Sequence, residues 1–138
     1  MRSFLFALGL LFACGCSNGG NLECVQNLNT MCSPLYQPTF DNLYTRTLHP
    51  TCAQVGNTCH SSQGAKNGLV FEDETTAYEL LLGTKDGRQR VIPNNPSCSL
   101  LIEHLESTDP SQVMPPGGML QEPERCGFIL WIAQGAKR

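Results

Sequence analysis

"VIPNNPSCSLLIEHLESTDPSQVMPPGGMLQEPERCGFILWIAQGA", residues 91–136, holds two helix patterns separated by a stretch that cannot be regular structure. In the first pattern Asn95 or Ser97 offers a cap, and Leu100, Leu101, His104 and Leu105 then recur on one face. In the second, Pro123 stands near a first helical position among acidic residues. The apolar run Phe128–Ala133 follows, and Gly135 closes it. Between them "VMPPGGML", residues 113–120, combines prolines that lack an N–H donor with glycines that fix no backbone angle. It reads as a loop.

Two further helices precede this block. In "EDETTAYELLLG", residues 72–83, acidic residues open the segment, Ala77, Tyr78, Leu81 and Leu82 line one face, and Gly83 stops it. In "TFDNLYTRTL", residues 39–48, Phe40, Leu43, Tyr44 and Leu48 recur at helical spacing. No segment of any length alternates with period two, so the expected fold is all-α, a single domain of about four helices. The connection "HPTCAQVGNTCHSSQGAKNGLVF", residues 49–71, carries the adjacent pair Cys59-His60. That pair is the back half of the haem-attachment motif C-x-x-C-H. The front half is displaced: Gly56 stands where the first Cys would be, and six residues separate Cys52 from Cys59.

The order helix, Cys-His, helices, Met-Pro loop, closing helix resembles the class I c-type cytochromes over roughly residues 36–136. Pro93, Pro96, Ser99 and Leu101, then Met114-Pro115-Pro116, then Trp131-Ile132 and Gly135-Ala136 are similar to the C-terminal half of the cytochrome c-like modules of exported bacterial proteins. The resemblance implies haem c as cofactor, with thioether attachment at Cys59 and, across the longer gap, at Cys52, or by a single thioether at Cys59 alone. It makes His60 the proximal ligand of the haem iron and Met114 the sixth ligand, and Met119 is a second candidate. A His imidazole paired with a Met thioether makes an electron carrier of raised potential. The same residues admit a plainer account. Cys52 and Cys59 would then form a cystine closing a short loop, His60 would be a loop residue and Met114 would be packing. His49 and His104 read as structural under either account.

The N-terminus has Arg2, an apolar run from Phe4 to Ala13, and the small-residue stretch Ala13-Cys14-Gly15-Cys16. This is the layout of a bacterial lipoprotein signal peptide, residues 1–15, too short to span a bilayer. Acylation at Cys16 removes Cys14 with the signal and leaves six cysteines, an even number; acylation at Cys14 leaves Cys16 unpaired. Residues 16–35 then comprise the tether "SNGGNLE" and a segment with Cys24 and Cys32, expected to be a small disulfide-closed loop. Residues 36–138 form the helical domain. Cys98 and Cys126, each near the start of an expected helix, form the second expected disulfide. Export explains the cysteine count, because thiols outside the cytoplasm are normally oxidised or bound. Ser17, in place of an acidic residue after Cys16, favours the outer membrane over inner-membrane retention.

Nine basic and twelve acidic residues give a net charge of −3 with no basic stripe, which argues against nucleic-acid partners. A zinc site would need a second close pair of Cys or His, and none stands at the usual spacing. Neighbours such as Cys59 and His60 point apart and make a poor nucleophile–base pair. No phosphate loop or nucleophile elbow is present. The expectation is therefore no enzyme, but a lipid-anchored periplasmic electron-transfer protein serving a redox partner protein. The alternative is a haem-free, disulfide-stabilised lipoprotein that keeps the fold as a binding or envelope-structural module.

Overall fold

The computed structural model describes residues 24–54 and 59–138. The expected signal peptide with Cys14, the lipidation candidate Cys16, the expected tether and Gly56 lie outside the described residues. The chain is mostly helical: α1 (Phe40–Leu43), α2 (Glu74–Leu81), α3 (Leu100–Leu105) and α4 (Glu122–Ala133), with a two-stranded hairpin β1 (Thr84–Lys85) and β2 (Arg88–Gln89). Among the described residues no helix is long and apolar enough to cross a membrane.

Local chemistry sets each boundary. Thr39 and Asp73 accept hydrogen bonds from Asn42 N and Thr76 N, capping α1 and α2. Gln121 and Glu124 exchange side-chain and backbone bonds as a capping box at the start of α4. The first helix does not continue as α. From Tyr44 to Cys52 it widens into a π-helix containing Pro50, and Ala53 N reaches back five residues to Leu48 O at 3.0 Å. Proline cannot donate to the ladder, so the wider turn carries the helix past it. Before α3, Asn95 caps a single 3-10 turn, Pro96–Cys98, and Ser99 starts the helix proper.

The all-α expectation needs one correction. Asp86 and Gly87 take φ of 51° and 78°, the two positive angles of a type I′ hairpin turn, and pair Lys85 with Arg88. The strands are two residues each, too short for alternation to register in the sequence.

The core joins the two ends of the domain. The Phe40 ring lies 5.0 Å from Tyr78 and 5.4 Å from Trp131, which brings α1, α2 and α4 together. Gly127 lets α1 and α4 approach, since a Cβ there would meet Leu43 Cδ2 at 3.2 Å. Ser99, fully buried, donates to Asn95 O at 2.9 Å and accepts from Ile92 N at 2.8 Å. This double bond folds the Pro93–Ser99 segment back on itself ahead of α3.

The disulfides also correct the expected pairing. Cys24 joins Cys98 and Cys32 joins Cys126, instead of Cys24 to Cys32 and Cys98 to Cys126. The reason is the path of residues 24–38, which form a strap rather than a separate loop. Val25 N bonds Ser97 O at 2.8 Å and Leu35 N bonds Pro123 O at 3.0 Å, so the strap lies across the starts of both α3 and α4. The helix order is as expected, but each helix start is stapled to the strap and not to its neighbour. Cystine mapping by non-reducing peptide mass spectrometry should recover these two pairs. The two bridges span 74 and 94 residues. Cross-links over such distances restrict the unfolded chain, so replacing Cys32 and Cys126 together by Ser should cost about 2–4 kcal/mol in denaturant unfolding.

Candidate functional site

A cavity of about 320 Å³ opens among the π-helix, the Cys59–Phe71 loop, the hairpin, α3 and the Met-Pro loop. Cys52, Cys59, His60 and Met114 all line it. These residues come from two segments more than fifty positions apart, and the fold brings them to one place. Met119 lies outside the lining and is 40% exposed, which leaves Met114 as the thioether at the cavity.

The backbone around His60 is held on both sides. His60 N donates to Cys52 O at 3.2 Å, and Phe71 N donates to His60 O at 2.9 Å. The first bond ties His60 directly to Cys52, the far end of the long cysteine spacing. Lys66 N adds a bond to Cys59 O at 2.9 Å. The His60 ring lies 5.0 Å from the Phe71 ring, and its Nδ1 is buried with no hydrogen-bond partner. Burial lowers the His60 pKa, with the facing His104 adding to the effect, while the backbone carbonyls of Leu69 and Lys66 oppose it. The net result favours the neutral ring, the form that can bind a metal.

Cys52 is pushed up to about 12, first by burial and then by the neighbouring Cys59 and by Glu124. Neither Cys52 nor Cys59 is in a disulfide. The rest of the lining is chiefly apolar, including Leu48, Leu69, Phe71, Leu81, Leu101 and Phe128. One end is different. Arg90 lines the cavity, is 8% exposed, and donates to Leu80 O at 3.0 Å and Asn67 O at 2.8 Å. Lys85 pairs with Asp86 and Arg88 with Glu103, but no carboxylate pairs with Arg90 among the described residues. A buried cation without a counter-charge is costly, and an anionic group in the cavity would offset that cost.

The donor set can therefore be tested against the group that the Cys-His pair suggests. A haem needs an apolar slot, two axial ligands for iron, thiols for covalent attachment and a partner for its carboxylates. The cavity offers an imidazole, a thioether, two thiols, largely apolar walls and one uncompensated guanidinium. The residues fit.

Arg90 and His104 were not legible as site residues. The Asp86-Gly87 turn is the signal that could have flagged the hairpin, but nothing in the sequence says that Arg90 turns inward.

The family model described as Planctomycete cytochrome C matches residues 57–118, a little under half of the chain. The match includes Cys59, His60 and Met114 and begins after Cys52, and it supports a cytochrome c-like domain. No curated protein and no solved structure matches the chain.

The raised pKa of Cys52 has a direct consequence for protein made without haem attachment. Its thiolate is scarce at pH 8, so iodoacetamide should label Cys52 at least about 100-fold more slowly in the folded chain than in denaturant. The gap should narrow as the pH approaches 12. Equal rates at pH 8 would contradict the buried placement.

Proposed function

We propose that this protein is a periplasmic c-type cytochrome-like electron carrier, anchored by lipid at Cys16 to the outer membrane. The observation that carries the reading is the convergence of Cys59, His60 and Met114 on one apolar cavity. In this reading Cys59 holds haem c by a thioether and Cys52 supplies the second attachment. His60 and Met114 ligate the iron. Bound haem would supply one-electron oxidation and reduction at its iron.

The chain's own residues define the conditions for that chemistry. The His60 backbone bonds fix the proximal ring before ligation, which limits the entropy lost on binding. Leu48, Phe71 and Phe128 line the cavity with apolar surface, and an apolar environment helps set the potential. The Arg90 charge complements the carboxylates of the ligand. The partner is a redox protein and the membrane is reached through the lipid. A net charge of −3 without a basic stripe argues against nucleic acid. Neither reading assigns the chain an enzymatic activity. The second reading, a haem-free lipoprotein with a binding or structural role, is favoured by one feature, the six-residue gap between Cys52 and Cys59.

Expression with haem-attachment machinery separates the two. Cys59→Ala should abolish covalent haem, judged by whether colour stays with the denatured polypeptide. Cys52→Ala should leave at least one thioether in place. Met114→Ala should keep covalent haem but lower the reduction potential, because a thioether favours reduced iron relative to water. Covalent haem that survives Cys59→Ala would overturn the assignment. For the anchor, wild-type protein should fractionate with outer membranes and Cys16→Ser with the soluble fraction. An unacylated mature N-terminus in wild type would contradict it.

A further inference from the structure

The residues that hold Met114 at the cavity point to a role for a histidine that sequence reasoning treats as structural. The loop between α3 and α4 is closed at its neck by Arg125. Its Nε donates to Glu106 Oε1 at 2.8 Å, and its Nη1 donates to Leu120 O. Within the loop, Asp109 O accepts from Gln112 N at 3.0 Å and from Val113 N at 2.9 Å. These bonds shape the loop but do not fix it against the cavity wall.

His104, on the last turn of α3, makes that link twice. Its carbonyl accepts from Met114 N at 3.0 Å, and its ring Nδ1 donates to Gln112 O at 2.7 Å. The ring also lines the cavity, with His60 and Met114. A carbonyl can only accept, so Nδ1 must carry a proton. It does so in the neutral tautomer and in the cation alike, and the grip does not depend on charge state.

We infer that His104 is the positioning residue for Met114, holding the 112–114 segment from both its main chain and its ring so that the thioether is presented to the cavity. The inference rests on the haem reading for its consequence, but the grip itself is a property of the polypeptide.

Two variants separate positioning from bulk stability. His104→Asn keeps an N–H donor near the Nδ1 position, whereas His104→Leu keeps volume and removes the donor. In haem-loaded protein, imidazole competes with Met114 for the iron, so its apparent affinity reports how firmly the thioether is presented. Losing one hydrogen bond should tighten imidazole binding about five-fold in His104→Leu and leave His104→Asn within about two-fold of wild type. Met114→Ala sets the upper limit. Amide hydrogen exchange over residues 112–114, measured on the protein as purified, should rise in His104→Leu and not in His104→Asn. If His104→Leu does not fold, His104→Ala replaces it in both measurements.

Imidazole affinity and exchange both unchanged in His104→Leu would overturn the inference. So would loss of the sixth ligand in both His104 variants with Met114→Ala unaffected, since His104 would then be the ligand itself. A colourless protein would defeat the haem reading alone, because the exchange measurement still tests the grip.

Discussion

The peptide of His60 is bonded on both faces, to Cys52 O through its N–H and to Phe71 N through its carbonyl. Most of the site depends on this double attachment. A seven-step separation between the two cysteines would ordinarily let them drift apart, and the first bond prevents it. The second ties the His60 carbonyl to Phe71, which is 2% exposed and belongs to the core. The backbone that carries the ring is thus fixed, and the ring itself lies 5.0 Å from the Phe71 ring, with its Nδ1 buried.

The Met114 side of the cavity is held by different means. The Met-Pro loop contains no regular structure, and its position derives from what flanks it. Ser99 fixes the entry to α3, the strap staples the starts of α3 and α4 through Cys24–Cys98 and Cys32–Cys126, and Arg125 closes the loop neck. Strap, staples and neck make a frame from which Met114 projects. One side is therefore set by main-chain bonds close to the cysteines, the other by His104's two bonds to the 112–114 segment together with cross-links at the helix starts.

Helix patterning was legible because the apolar positions of α2 and α4 recur at helical spacing and their caps are of ordinary types. The π-helical extension was not, since Tyr44 and Leu48 fit α spacing and only Pro50 hints that the helix must widen. The hairpin was missed because two-residue strands leave no alternation to read. The disulfide partners were misread for a general reason: Cys24 and Cys32 are close in sequence, but an irregular strap can carry them to distant partners, and no local pattern encodes that path. Among site residues, Cys59, His60 and Met114 stood out by chemical type and flanking residues. Arg90 and His104 did not, because an arginine in a turn and a histidine on a helix face are common on ordinary surfaces. Burial and hydrogen bonding give those two their meaning, and both are properties of the fold.

The most direct test is the intact mass and visible spectrum of the wild-type chain, produced with haem-attachment machinery and then denatured without reductant. The account predicts a polypeptide heavier by one haem, with the haem spectrum remaining on the unfolded protein and Cys59 in the thioether. A chain that carries no haem mass, with Cys52 joined to Cys59, would contradict it.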